Sequence, residues 1–424
     1  MTEKTNIPQG YKNSPLGIIP QDWEVKRLGD VAEVKGGYAF DSKKMSDTPQ
    51  QYQIVKMGNL YGGTLDLSRC RSYWGTLNEI EKDYLLKEGD IIITLTGTIG
   101  KRDYGNSVQI KKEKNLLLNQ RNAKIVSKTI DNCFLFFVVN SERFLHQFFY
   151  SSRGGTGSQT NVGIPDIEDI RIIVPSIKEQ EGISNIVNLW DTAIEKQSEL
   201  VEKLKLRKRA LMQQLFTGKK RLPEFSGEWK KRTYSSILTE VKRSLKWDEN
   251  ELYKLISVRR RSEGLFFRES LYGRDIATKN LRPVKTGDFL ISKMQIVHGA
   301  SGLVTDEFDD AKISGSYISL VSKDSNILDI RYYNFWSQMP IFYHQTFVSS
   351  FGVHIEKMTF DLDTFMSFGM PLPPIEEQHA IVSLIESVNK EIKLANEKLT
   401  NYQSQKRGLM QQLLTGKKRT INIE

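Results

Sequence analysis

KRALMQQLFTGKKR at 208–221 returns almost letter for letter as KRGLMQQLLTGKKR at 406–419. The two stretches are offset by 198 residues, and the same offset carries PSIKEQ at 175–180 onto PPIEEQ at 373–378. Further out it carries FLHQFFYSSRG (144–154) onto FYHQTFVSSFG (342–352) and GDIIIT (89–94) onto GDFLIS (287–292). Between these anchors the halves diverge strongly. So long a period is not that of a solenoid, and each copy must be a domain-sized unit. The order is variable domain, near-constant helix, variable domain, near-constant helix. The expected boundaries are an N-terminal segment 1–22, a first variable domain 23–174, a helical region 175–221, a second variable domain 222–372, a second helical region 373–419 and a tail 420–424. IPQDW (19–23) resembles LPEFSGEW (222–229), which joins the first helix to the second unit.

The near-constant regions carry a coiled-coil seam. In the first, Ile183, Val187, Trp190, Ile194, Val201, Leu204, Leu211 and Leu215 fall on steps that alternate four and three residues, the heptad signature. In the second, Ile381, Ile385, Val388, Ile392, Ala395, Leu399, Tyr402, Leu409 and Leu413 keep the same phase. Lys208 and Lys406 hold the seam position that is polar in both copies; Gln197 is also polar, its repeat mate being Ala395. Gly218 and Gly416, each followed by cations, suit helix C-termini, and the prolines of PxxxEQ stand just ahead of the first turn. Such a stripe can bury against its own domain or against the other helix. Two like halves favour the second arrangement, because like units pair about a two-fold axis, which makes the helices antiparallel. From 183 to 215 such a rod rises about 48 Å at ~1.5 Å per residue.

The variable domains read as α+β. EGDIIITLTG (88–97) and LLLNQRNAKIV (116–126) read as strands, CFLFFVVNSERFLHQFFYSS (133–152) as amphipathic and helical, and DIRIIVPSI (169–177) as a strand feeding the long helix. GDFLISKM, AKISGSYISLV, YYNFWSQMPIFYHQTFVSS and FMSFGMPLP follow in the same order in the second domain.

Composition narrows the function. The chain has 424 residues, 39% hydrophobic and 26% charged, with a formal net charge of +10; a basic globular protein of this size suits an anionic partner, nucleic acid first. Cys70 and Cys133 form no CxxC or Cys/His cluster, so neither a disulfide framework nor a zinc site is expected. The longest apolar run, FLFFVV at 134–139, is far too short to span a membrane, and MTEKTNIPQG has no apolar signal core; a soluble cytoplasmic chain is expected. Catalytic signatures are missing. The Pro-Pro of Leu372-Pro373-Pro374-Ile375 lacks the amide or carboxylate that amino-group methylation needs, and GTIGK (97–101) is too short for a phosphate cradle. Glu33-Val34-Lys35 after Asp22, loosely repeated at Glu240-Val241-Lys242, matches a nuclease E-x-K only as chance would. The five histidines show no metal-ligand spacing, and His146 and His344 are repeat mates on an aromatic helix. No metal and no cofactor is expected.

What remains is loops. GGYAF (36–40), TGTIGK (96–101), NQR (119–121) and RGGTGSQTN (153–161) mix glycine with base-reading and phosphate-binding side chains, and RRR (259–261), Arg268, Arg274, SKMQ (292–295) and SSFGVH (349–354) do so in the second domain. Glycine lets backbone approach phosphates, while Arg, Asn and Gln make bidentate contacts to base edges. The candidate DNA contacts are Lys35, Tyr38, Lys101, Asn119, Gln120, Arg121, Arg153 and Gln159 in the first domain, and Arg259, Arg260, Arg261, Lys293, Gln295 and His354 in the second. Each is equally a residue type that surface loops carry for solvation.

The variable–constant–variable–constant order, the P-x-x-x-E-Q openings and the LMQQL-x-TGKKR closings resemble the specificity subunits of Type I restriction–modification systems, along nearly the whole chain. The resemblance implies two globular target-recognition domains joined by two long α-helices in an antiparallel coiled coil. Each domain would read one half of a split, asymmetric site in double-stranded DNA. The helices would set the gap and dock two methyltransferase (modification) subunits, with translocase/endonuclease (restriction) subunits joining that assembly in a bacterial or archaeal cytoplasm. The subunit itself would be non-catalytic.

Overall fold

The structure, a computed structural model, describes residues 7–61, 63–154 and 159–420. The chain divides into two compact units, Met1–Gln197 with Lys398–Glu424, and Ser198–Glu397. The division runs through both long helices, so each unit holds one mixed domain, part of Ile177–Phe216 and part of Ile375–Leu413.

In the first unit the central sheet has the order Ser107–Gln109, Ile91–Thr94, Asn122–Ser127, Ala32–Gly36, antiparallel throughout. GDIIIT is its heart. Asp90 N–H donates to the Lys87 carbonyl across a turn whose third residue is Gly89 at φ 90°, a conformation open to glycine. The three isoleucines that follow are all fully buried. Ile91 and Ile93 join a core with Phe134, Val139 and Phe148, whereas Ile92 faces Val55, Leu60, Val108 and Leu118. A strand covered on both faces reads as an unbroken apolar run. Each isoleucine contributes roughly 1.5–3 kcal/mol of burial.

The second unit repeats the plan. Leu238–Glu240, Tyr317–Ser322, Phe289–Ser292 and Ser301–Leu303 form the matching antiparallel sheet. Gly287, also at φ 90°, turns the chain into Phe289 and Ile291 on one face and Leu290 on the other. Its second sheet is larger: Leu265–Tyr272 forms a long edge strand on Leu252–Val258, which lies beside Lys312–Ser314, itself paired with Leu281–Pro283.

Two sequence expectations are corrected. LLLNQRNAKIV is not one strand. Leu116–Leu118 pairs in parallel with Tyr52–Val55, and Asn122–Ser127 belongs to the central sheet. The chain leaves one sheet for the other at Asn119–Arg121, where Gly37 packs so close that a Cβ would sit 2.1 Å from the Asn119 carbonyl oxygen. AKISGSYISLV splits likewise into Lys312–Ser314 and Tyr317–Ser322. The 133–152 stretch is helical as expected, in two helices, Asn132–Val139 and Glu142–Tyr150, because the Ser141 hydroxyl accepts from Phe144 N–H and starts a new helix. His146 and His344 both lie exposed on their helices.

The long helices are continuous over 40 and 39 residues. Within the first unit Ile183, Val187 and Leu413 share the domain core, with Leu409 against it, and Trp190 meets Tyr402 edge to face at 5.7 Å. Lys406 reaches Asp191 in an ion pair. Within the second, Val201, Leu204 and Ala395 cluster with Ile392, Leu215 joins Ile381 and Ile385, with Leu211 packed on that core, and Arg207 lies 3.3 Å from Glu391. In both units numbers rising on one helix meet numbers falling on the other, the antiparallel coil. Ile194, Leu399 and Tyr402 are half-buried, and Val388 is buried. Both readings of the seam hold in part, since its outer ends also enter the domain cores.

The repeated motifs are structural locks. Arg419 of the second TGKKR grips Glu179 of PSIKEQ with Nε at 2.6 Å and Nη2 at 2.9 Å, and the same carboxylate accepts from Trp23 Nε1 at 2.8 Å. Asp22 takes the other side of the guanidinium, at 2.7 Å. Burial would raise the Asp22 carboxyl, but its bonds to Arg419 hold it below the usual value. In the second unit Arg221, Glu377 and Trp229 repeat the triad, with Arg221 Nη2 at 2.6 Å and Trp229 Nε1 at 3.0 Å. Gln180 donates to Pro175 O and accepts from Asp131 N–H, and Gln378 does the same with Pro373 and Asp329. These fully buried carboxylates and amides explain why E-Q follows the proline and why Arg ends TGKKR.

Candidate nucleic-acid interface

In the first unit the candidate residues gather at the strand ends around Leu95, whose N–H donates to Arg121 O and whose carbonyl accepts from Val162 N–H. On one side Tyr38 forms an isolated bridge with Asn119, and Gln120 N–H donates to Tyr38 O. On the other, Thr96–Thr98 pairs with Gln159–Asn161, which pairs in turn with Arg153–Gly154. Lys101 closes the turn after Thr98, with Thr98 N–H and hydroxyl held by Asp103 at 2.8 and 2.7 Å. Those bonds keep the Asp103 carboxyl ionised below its usual range. Gln120, Arg121, Lys101, Gln159 and Arg153 are exposed. Arg153 leaves 80% of its side chain in solvent beside Asp166 at 2.8 Å.

Two candidates are occupied within the fold. Tyr38 is half-buried, edge-on to Phe40 at 5.0 Å and against Tyr84 at 5.1 Å. The Lys35 ammonium sits over Tyr84 and donates to Asp83 O, so Glu33-Val34-Lys35 forms no carboxylate–lysine pocket. Gly155, Thr156, Gly157 and Ser158 of RGGTGSQTN lie outside the described residues.

In the second unit RRR, SKMQ and SSFGVH come together on one surface. Arg261 and Ser262 turn the hairpin at φ 59° and 54°, held by N–H bonds to the carbonyls of His298 and Gly299. Arg259 stacks over Phe266 at 5.0 Å. Arg260 Nη2 and His298 Nε2 each lie 3.0 Å from Glu356, in the loop that follows His354. Lys293 O accepts from Phe360 N–H, tying SKMQ to the same loop. Gln295 turns inward, its side-chain oxygen buried with no hydrogen-bond partner among the described residues. Arg268 lies on the second strand of the same hairpin and Arg274 just beyond its end, over Tyr272 at 4.8 Å.

Sequence reasoning missed the apolar members of this surface. Phe351, Val353 and Ile355 are 59%, 93% and 49% exposed around His354. The alternation F-G-V-H-I between polar neighbours was the available signal. Among the described residues no group of three His, Cys, Asp or Glu is placed to hold a metal ion, and no helix is long and apolar enough to cross a membrane. The arrangement offers cations, amides and aromatic platforms on loops rooted in rigid sheets, which is the chemistry of phosphate and base-edge contact.

The family described as the Type I restriction modification DNA specificity domain matches residues 20–205 and again 219–401. The type I restriction enzyme MjaVIII specificity subunit of Methanocaldococcus jannaschii is 27% identical over 227 residues, half of each chain, so the match spans about half the length of that relative. The putative MjaX specificity subunit of the same organism is 22% identical over 450 residues, 96% of each chain. The crystal structure of a Type-I restriction-modification S subunit from M. genitalium shares the fold with a TM-score of 0.54 at 12% identity, over 97% of this chain and 99% of that one. A structure described as underlying complex assembly and conformational transition of the type I R-M system gives 0.57 at 15% identity, over 94% and 99%. With both halves of the repeat matched in turn, the chain belongs to the Type I restriction modification DNA specificity family.

Proposed function

We propose that this chain is the non-catalytic subunit that reads a bipartite, asymmetric DNA site and directs the methyltransferase and restriction subunits of a Type I complex to it. Residues 23–174 and 222–372 are the reading domains, and 175–221 with 373–419 the helical spacers. One observation carries the reading: two domains whose central sheets share one strand order carry chemically different loops after matching elements, TGTIGK against SKMQ and RGGTGSQTN against SSFGVH. Matching scaffolds with different loops suit two different half-sites. Two methyltransferase subunits suit the two-fold character of the spacer sequence, where PxxxEQ and TGKKR each occur twice. The restriction subunits join through that assembly, in the cytoplasm of the cell whose DNA is marked.

The test is methylation. The purified chain alone, given S-adenosylmethionine and duplex DNA, transfers no methyl group. Co-expressed with the methyltransferase of its own system, it produces methylation at a two-part sequence with different halves. Methylation by the chain alone, or a single continuous motif, overturns the reading.

A further inference from the structure

The hairpin closing the second domain's interface has an unusual tip. Ser350–Phe351 pairs with Thr359–Phe360, and between them the chain presents Gly352-Val353-His354-Ile355-Glu356-Lys357-Met358. The hairpin is built, not frayed. A Cβ at Gly352 would lie 2.9 Å from the Lys357 carbonyl oxygen, Phe360 N–H is tied to Lys293 O, and Glu356 is anchored to Arg260. Yet Val353 stands 93% exposed at its end, with Phe351 and Ile355 about half-exposed beside it. In soluble chains exposed apolar side chains grouped on a held loop mark a contact surface.

The surroundings select the partner. The segments tied to the hairpin supply Arg259, Arg260, Arg261 and Lys293, and the hairpin adds Lys357, against Glu263 and Glu356. An apolar tip on a cationic base fits a polyanion with a stacked apolar interior, which is duplex DNA; an apolar protein partner would leave those cations without counter-charge. Proteins that insert Phe, Leu, Ile or Met between base steps partly unstack them and kink the duplex. The matching hairpin of the first domain, Arg153–Gly154 with Gln159–Asn161, carries Arg153 where the second carries Phe351. We propose that Phe351 and Val353 form an apolar wedge with which the second domain, and not the first, unstacks and kinks DNA. This rests on the DNA-reading function above.

The experiment compares the full chain, wild type and Phe351→Ser/Val353→Ser, on a duplex of about three helical turns (about 30 base pairs) and on the same duplex with a short central bulge of unpaired adenines. A bulge removes stacking that the wedge otherwise has to break. The wild type should bind the bulged duplex about tenfold tighter than the plain one. The double variant should lose that preference, falling about tenfold on the bulged duplex and less on the plain one, with an unchanged circular dichroism spectrum, since phosphate contacts remain. Val353→Leu should keep the preference. A wild type without preference, or a double variant that retains it, overturns the wedge and leaves DNA reading intact. The same holds for a double variant that keeps the preference but releases a methyltransferase subunit from the complex, which would assign the tip to a protein contact. A wild type that binds neither duplex overturns the reading function as well.

Discussion

Glu377 is fully buried in the first turn of its helix, and its side-chain partners among the described residues are Arg221 and Trp229. A buried carboxylate that loses its cation costs far more than the pair contributes, because the desolvation penalty is left uncompensated. Arg221→Ala should therefore lower stability by roughly 3 kcal/mol. Glu377→Gln should cost clearly less, because an amide oxygen still accepts from Trp229 while Arg221 turns to water. Urea unfolding of the full chain reads both, and equal losses would show that the lock does not depend on charge. The two seam lysines make a second test. Lys406 pairs with Asp191, but at the repeat mate of that aspartate the second unit has Asn389, and Lys208 has no carboxylate at ion-pair distance among the described residues. Burial pushes the Lys208 ammonium below its ordinary value. Its charged form is thus penalised in the fold at neutral pH, and stability should rise as pH climbs from the lowered value towards that of a free lysine. Lys208→Met should stabilise by about 1 kcal/mol and flatten that alkaline rise. Lys406→Met should instead destabilise slightly, by less than about 1 kcal/mol, since Asp191 is partly in water. The same sign for both would show that the halves are electrostatically alike. These asymmetries are visible in the sequence only as an Asn standing at the repeat mate of an Asp; that the lysines are half-buried required the fold.

At the scale of elements, the seam was legible because a 3.5-residue period has few competing explanations. Ile183 to Leu215 and Ile381 to Leu413 all proved buried or half-buried. The strand at 116–126 misled because its break is imposed from far away, by Gly37 on the Asn119 backbone. No local pattern records an approach from 82 residues earlier. The break at Asn140–Ser141 was local and readable as a helix N-cap signal. Among candidate site residues, sequence chemistry named the Arg and Lys loops for their residue types, but could not tell that Tyr38 and Lys35 are engaged with Tyr84, nor that Phe351 and Val353 face solvent. Helix interior chemistry also yields a prediction. Gly408 lies in the second long helix, where an added Cβ would have nothing within 4 Å, and its repeat mate is Ala210. Gly408→Ala should stabilise by about 0.5–1 kcal/mol, read as a higher melting temperature; a loss would mean that the added methyl meets a neighbour after all.

For the whole molecule, if residues 23–174 and 222–372 read the two half-sites, the uninterrupted helix Ile177–Phe216 between them along the chain makes length a functional variable. Four residues inserted after Leu200 add about 6 Å at ~1.5 Å per residue, close to two base pairs at ~3.4 Å each. Such a stutter keeps the seam facing its partner, so the variant should fold, recognise the same half-sites and leave a longer gap. A two-residue insertion should turn the seam away and damage assembly. A four-residue variant that folds and methylates with an unchanged gap would show that the helices do not set it.

The central claim is that each domain reads its own half of the site. The direct measurement is methylation mapping, in cells carrying the methyltransferase of the same system, of a chain whose residues 23–174 are replaced by the first domain of another family member. The account predicts a new sequence in one half of the site, with the other half and the gap unchanged. A change in both halves, or in neither with methylation intact, would contradict it.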